Sequence, residues 1–392
     1  MLTALLVIIY VSFISLGLPD SLLGSAWPAI HLDLGVPLSF AGVISMIISC
    51  GTVISSLLST RVIRRFGTGR TTLCSVAMTA AALLGFSCSG SVVWFCLLAV
   101  PLGLGAGSVD AALNNFVALH YAARHMSWLH CMWGIGAAGG PVIMGWALAG
   151  STWQSGYRII SILQIVLTAV LIFSLPLWQT PADAGAGEDF TPEHRTFPQL
   201  MKVPGVPEVM CCFALYSGVE TVTGMWAASY CTLVRGLDAT TAASWASLFY
   251  LGITGGRFLS GFLTIRFTDH QMIRLGQTLI AMGIALLLLP GSAALPVGLV
   301  VIGLGCAPIY PQMIQLTPER FGDENAQLLM GLQMTCAYVG SMAFPPLMGL
   351  LVEQVSPLLL PVAIAALLAI MTTCLIRCDS RVMATRASAA QQ

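Results

Sequence analysis

The chain has 392 residues, 57% of them hydrophobic and only 8% charged, and its 16 basic and 16 acidic residues cancel. Soluble globular domains carry roughly 25% charged residues, so this composition excludes a water-soluble fold. The lack of net charge and of any basic stripe interleaved with aromatics excludes nucleic acid as a partner.

An α-helix rising about 1.5 Å per residue needs on the order of 20 apolar residues to cross a hydrocarbon core roughly 30 Å thick. The chain turns apolar at its first residues, without a basic leader or a small-residue cleavage site, so a retained first helix is expected rather than a signal peptide. Apolar runs bounded by Gly, Pro and charge predict helices over 3–30, 37–59, 71–89, 91–119, 129–150 and 157–177. A polar stretch rich in Pro, Ala and Gly follows from 178, with the character of a linker. Six further helices are predicted over 206–232, 241–262, 273–290, 295–316, 326–352 and 357–376. The organisation expected is an all-α membrane protein of twelve transmembrane helices in two pseudo-symmetric six-helix bundles, over 1–177 and 206–378, joined by a cytoplasmic linker at 178–205 and ending in a cytoplasmic tail at 379–392.

Lys and Arg accumulate on the cytoplasmic side of membrane proteins. With the N-terminus inside, Arg61, Arg64, Arg65, Arg70, Arg124, Arg195, Lys202, Arg266, Arg274 and Arg320 fall on that side with the tail residues Arg377, Arg381 and Arg386, leaving Arg158 and Arg235 outside. The expectation is a monomer that spans the cell (inner) membrane many times, surrounded by lipid, with both termini cytoplasmic. The twelve cysteines lie mostly in apolar runs (Cys50, Cys74, Cys96, Cys131, Cys306, Cys336) without C-x-x-C or metal-ligand spacing, and are read as small buried hydrophobes.

Internal similarity supports two halves. GLPDSLLGSAW (17–27) parallels SGVETVTGMW (217–226), VPLGLGAG (100–107) parallels VIGLGCAP (301–308), and GGPVIMG (139–145) parallels FPPLMG (344–349). A parallel repeat with the solute site between the halves is a known transporter plan.

A charge at the bilayer centre costs about 2.5–3.5 kcal/mol even on the gentler insertion scale, so the charges within spans carry the strongest functional signal. They are Asp20, Asp110, Glu220 and, nearer a helix end, Arg257. Gly103, Gly107, Asp110 and Asn114 share one helical stripe whose glycines admit a close neighbour, as Gly17, Asp20, Gly24 and Trp27 do on the first helix. A carboxylate in a poorly hydrated cavity can be charged in one access state and neutral in another, which makes Asp20 and Asp110 the candidate proton-coupling residues. His130 can hydrogen-bond a polar ligand or relay protons. With Trp27, Asn114, Asn115, Trp133, Tyr216, Glu220, Trp226, Tyr310, Gln312, Gln333 and Tyr338 it forms the candidate substrate surface, suited to a polar, ring-stacking solute. Each has a structural alternative: helix association for the acids, packing or an interfacial belt for the rings. The connector STRVIRRFGTGR (59–70) supplies Arg64, Arg65 and Arg70, which with Arg257 are candidate latches between the halves, or simple anchors to the cytoplasmic face. A Walker-type phosphate loop, H-E-x-x-H and G-x-S-x-G are all missing. No catalytic residue, metal or cofactor is therefore expected beyond a proton gradient, with sodium the alternative coupling ion.

These residues resemble the major facilitator superfamily over essentially the whole chain. The connector resembles that family's G-x-x-x-D-R-x-G-R-R signature only as RRFGTGR (64–70), with Thr60 for the first glycine and Arg64 for the acid. PDSLL (19–23) and GLGAGSVDAALNN (103–115) resemble the fucose/galactose/glucose:proton symporter branch, as do HCMWGIGAAGGP (130–141), YSGVETVTGMWAASY (216–230), YLGITGGRFLSG (250–261) and APIYPQMIQLTPERFG (307–322). The resemblance implies proton-coupled symport of a sugar-like solute, with Asp20 and Asp110 as the protonation and sugar-recognition pair. GAAGGPVIMG (136–145) also resembles the G-x-x-x-G-P motif of proton-coupled drug antiporters, which makes efflux the second expectation. A non-transporting receptor or scaffold is the third.

Overall fold

The computed structural model describes residues 2–121, 123–178 and 197–389. The core of the expected linker, with His194 and Arg195, and the side chains of Arg124 and Arg386 lie outside the described residues. The first half consists of α1 (Leu2–Asp20), α2 (Leu22–Asp33), α3 (Phe40–Phe66), α4 (Thr68–Ser87), α5 (Val92–His120), α6 (Ala123–Gly150) and α7 (Trp153–Ser174). After a 3-10 turn at Leu175–Trp178 and the short α8 (Phe197–Leu200), the second half follows as α9 (Val206–Arg235), α10 (Ala239–Leu263), α11 (Asp269–Leu288), α12 (Leu295–Phe321), α13 (Asp323–Gln354) and α14 (Leu359–Ala389). Counting α1 and α2 as one interrupted span, the long helices among the described residues number twelve. Ten are long and apolar enough to cross a bilayer by length and composition alone. The other two, α9 and α10, have 30 and 25 residues but are diluted by small and polar side chains.

Two boundaries differ from the sequence expectation. The last helix continues to Ala389, so most of the segment expected as a tail is helical. The first span is not continuous but breaks at Ser21, next to Asp20. Pro19 has no N–H to give the Ser15 carbonyl one turn back, and an unpaired backbone carbonyl is costly in a membrane interior. The Gln164 amide on α7 supplies the missing bond, Nε2 donating to Ser15 O at 2.8 Å, while its Oε1 accepts from Thr79 Oγ1 at 2.7 Å. The break is therefore a satisfied feature of the fold, and it holds Asp20 where α1 ends.

Helices in lipid gain little from the hydrophobic effect and associate through close packing at small residues. A Cβ on Gly103 or Gly107 of α5 would overlap the backbone of Ile48 or Thr52 on α3, and in the second half one on Gly303 of α12 would overlap Phe249 on α10. The same equivalence relates α1 to α6, where Gly17 and Gly136 meet the backbones of Trp133 and Ile14, and α9 to α13, where Gly340 meets Ala214. The sequence repeat is thus a repeat of helix contacts.

The halves meet across α2 and α9, α3 and α13, and α6 and α10. Gly24 lies against Met225, Gly42 against Pro346, and Gly145 against Ser244. At the same end the N–H of Ser39, which caps α3, donates to Glu353 Oε2 of α13 at 3.2 Å. A carboxylate of one half thereby complements the helix dipole of the other. Helices α5 and α12 pack within their own halves. The contacts therefore seal the end opposite the arginine-bearing turn between α3 and α4, where Gly67 adopts a φ of 78° that other residues rarely reach.

Replacing Gln164 with Leu is expected to cost about 1–3 kcal/mol by orphaning the Ser15 carbonyl, read as a lower melting temperature in detergent. In a Pro19→Ala background, where the helix supplies its own donor, most of that loss should vanish. Glu353→Gln should weaken the sealed end by about 0.3–1 kcal/mol, seen as faster amide exchange over 38–42 with no change in the exchange of α14.

Candidate functional site

A cavity of 410 Å³ lies between the halves, on the inner side of the seal, lined by α1, α2, α3, α5 and α6 from the first half and α9, α10 and α13 from the second. It falls within the size range of small-molecule sites, about 300–1,000 Å³. The intramembrane charges converge there: Asp20, Asp110, Glu220 and Arg257 all line it.

The close approach of α1 to α6 at Gly17 sets Trp133 beside the end of α1, and its indole Nε1 donates to Asp20 Oδ2 at 2.7 Å. Across the cleft the Arg257 guanidinium stands over the same indole, 5.2 Å from the ring centroid, within the range of a cation–π contact. Arg257 Nη2 lies 3.9 Å from Glu220 Oε1 on α9, at the outer limit of an ion pair. On α5, Asn114 Nδ2 donates to Asp110 Oδ1 at 2.9 Å and to its backbone carbonyl at 3.0 Å, steadying the carboxylate one turn away. His130 stands edge-on to Phe13 at 5.9 Å, and both line the cavity. Three carboxylates thus line one cavity together with one guanidinium, an imidazole and a set of neutral donors.

The remaining polar lining consists of hydroxyls: Ser45, Ser49 and Thr52 on α3, Ser217 and Thr221 on α9, Tyr250 on α10, and Tyr338 and Ser341 on α13. Sequence reasoning found only Tyr338 among these, because hydroxyls within apolar runs give no charge signal. Their spacing was the available clue, since 45, 49 and 52, and likewise 217 and 221, fall on one helical face.

Of the predicted substrate residues, His130, Trp133, Glu220 and Tyr338 line the cavity; the others do not. Trp27 and Trp226 are buried at the seal, where their indole N–H groups donate to the Leu38 and Pro345 carbonyls at 2.7 and 3.1 Å. Tyr216 is buried and donates to Cys306 O at 3.0 Å, with Tyr310 packed on its ring. Gln333 is buried against Thr317 at 3.0 Å, Gln312 is buried, and Asn115 is exposed off the cavity. Asn114 acts through Asp110. Trp27, Trp226, Tyr216 and Gln333 share a helix with the site but point into packing, Tyr310 and Gln312 belong to α12, which does not line the cavity, and Asn115 faces outward.

The latch assignment also changes. Arg64, Arg65 and Arg70 are exposed, and among the described residues none forms an ion pair; Arg65 lies over the neighbouring Phe66 ring. Position 64, where an acid would reach across, is itself a cation. Arg257 belongs to the cavity. Of the twelve cysteines read as buried, Cys212, Cys231, Cys306 and Cys378 are fully so, whereas Cys74, Cys88 and Cys211 are exposed and the rest are half-buried.

The Major Facilitator Superfamily profile matches residues 9–266 and again 209–391. The glucose/mannose transporter GlcP of Bacillus subtilis (strain 168) is 24% identical over 291 residues, 70% of each chain. Bypass of stop codon protein 6 of Saccharomyces cerevisiae is 23% identical over 288 residues, so the match takes in 67% of this chain but only 57% of the yeast protein's length. Among solved structures the nucleoside transporter NupG superposes with a TM-score of 0.75 at 13% identity, covering 95% of this chain and 98% of that one. A bacterial homologue of the human lysosomal transporter Spinster, solved inward-facing and unoccupied, superposes with a TM-score of 0.69 at 13% identity, covering 98% and 97%. At such identities the structures show a shared fold. With the profile matching both halves, the chain belongs to the Major Facilitator Superfamily, a family of membrane transporters and not of enzymes.

Proposed function

We propose that the chain is a proton-coupled symporter of a sugar or sugar-like polar solute, working by alternating access. The observation that carries this reading is the single cavity shared by both halves, in which Asp20 and Asp110 face a rim of hydroxyls. Hydroxyls, carboxylates and a guanidinium match the mixed donors and acceptors of a polyol, and the Trp133 ring offers a flat apolar face for a sugar ring. The likeness to a glucose/mannose transporter points the same way. Neither Asp20 nor Asp110 has a cation of its own: the first accepts from an indole and the second from an amide. A proton can therefore neutralise either one without breaking an ion pair. The arginine-rich side, toward which the halves are unsealed, is assigned to the cytoplasm of a cell whose inner membrane the monomer spans, with both termini on that side. Drug efflux, suggested by GAAGGPVIMG (136–145), fits this charged and hydroxyl-rich lining less well.

In proteoliposomes with an inward proton gradient the purified chain is expected to concentrate labelled glucose or mannose, and a protonophore should collapse the accumulation whether or not sodium is present. Asp110→Asn, a permanent mimic of the neutral acid, should lose concentrative uptake while retaining solute exchange at equilibrium. Accumulation that survives the protonophore, or that persists in an Asp20→Asn, Asp110→Asn double variant, rules out the coupling scheme. A sugar-independent flux of cationic drugs would move the assignment to efflux.

A further inference from the structure

We propose that Trp133 is the positioning residue through which the charge on Asp20, in the first half, acts on the Arg257–Glu220 pair in the second. The inference rests on the proton-coupled reading above and adds the physical link between the halves. Trp133 is the side chain that meets both partners: its N–H edge is 2.7 Å from Asp20 Oδ2 and its ring lies 5.2 Å from the Arg257 guanidinium. Its backbone is held by the approach of Gly17, so the indole hangs from a fixed point on α6. The next residue, Gly134, packs against the Thr254 side chain, one turn before Arg257 on α10. Trp133 therefore stands where α6 and α10, and with them the two halves, slide past each other.

The chemistry runs in one direction. A charged carboxylate accepts the indole N–H in a charge-assisted bond, roughly twice as strong as one between neutral partners, and this fixes the ring plane. With the plane fixed, the ring face is presented to Arg257 and draws the guanidinium away from Glu220, leaving that pair at 3.9 Å. A proton on Asp20 weakens the bond, frees the ring to turn, and lets Arg257 close on Glu220 or on an incoming solute. The other titratable groups around Asp20 and the Arg257–Glu220 pair are Asp110 on α5, His130 and Cys131 on α6, Tyr216 on α9, Tyr250 on α10, Cys306 and Tyr310 on α12, and Tyr338 on α13. Trp133 is the one among the cavity side chains with a recorded contact to both Asp20 and Arg257.

The test measures amide exchange across the seal, over 134–145 and 240–254, for the intact protein in nanodiscs at an acidic and an alkaline pH, corrected for the intrinsic rate. The wild type should change protection over 240–254 by about tenfold between the two, the size expected from loss of one half-buried cation–π contact. Asp20→Asn and Trp133→Phe, which keeps a ring but removes the donor, should each flatten this response, and the double variant should be no flatter than either alone. Arg257→Gln, which cuts the link from the other side and leaves the Asp20–Trp133 bond in place, should flatten it over 240–254 as well. A Trp133→Phe protein that keeps the response lost in Asp20→Asn overturns the inference while leaving the proton-coupled reading intact. A wild type with no pH response and no proton-driven uptake in liposomes overturns both.

Discussion

Backbone-to-backbone contact through glycine is the constraint on which this molecule depends. In lipid, two helices that present only large apolar side chains to each other gain little over contact with the acyl chains. Here the inner surfaces are built from small residues, and the carbonyl of one helix often occupies the place where a side chain of its neighbour would stand. Gly103 against Ile48 and Gly303 against Phe249 make the same joint in the two halves, as do Gly136 against Ile14 and Gly340 against Ala214. Such joints leave little room for a side chain within each half, and the contacts between the halves are fewer. Between the halves, Gly24, Gly42, Gly145 and the Ser39–Glu353 hydrogen bond seal one end, and Gly134 against Thr254 and Cys50 against Met342 continue the contact farther along α6–α10 and α3–α13.

The same constraint positions the chemistry. Bringing α1 to α6 at Gly17 carries Trp133 to the end of α1, and Pro19 ends the regular helix just where Asp20 points into the cavity. The carbonyl that Pro19 leaves unpaired is served by Gln164 from α7, which in turn is steadied by Thr79 of α4. The intramembrane acid of the first span is thus held by residues on three other helices, and of these Trp133 is the one that touches it.

The sequence made the architecture readable because lipid imposes it: every long apolar run became a helix, and the offset repeats near 100–107 and 301–308 became equivalent packing sites. The intramembrane acids were readable for the same reason, since a charge in an apolar run stands out. The break at Ser21 was not, because Pro28, Pro101 and Pro141 sit inside helices that continue past them, and only the tertiary arrangement decides which proline interrupts. Trp27 and Trp226 were misplaced because they share a helix with an acid and a glycine; their N–H groups found carbonyls at the seal instead. The hydroxyls of α3 were missed because serine is common at helix interfaces in membranes, so a lining serine and a packing serine look alike until the neighbours are known.

The repeat also sets one position in two surroundings. Asp20 and Glu220 occupy matching places in the two halves, each four residues before a glycine at the crossing of α2 and α9. Their partners differ. Glu220 faces the guanidinium of Arg257, so its charge is answered inside the cavity, whereas Asp20 faces an indole and carries a charge that nothing beside it cancels. In a space from which water is partly excluded, an unanswered charge is the one that a proton or a solute most changes. The two halves are symmetric in shape and unlike in charge: the first brings two carboxylates without a cation of their own, and the second brings the cavity's guanidinium. Trp133, reaching from one half to the cation of the other, is where the two chemistries touch.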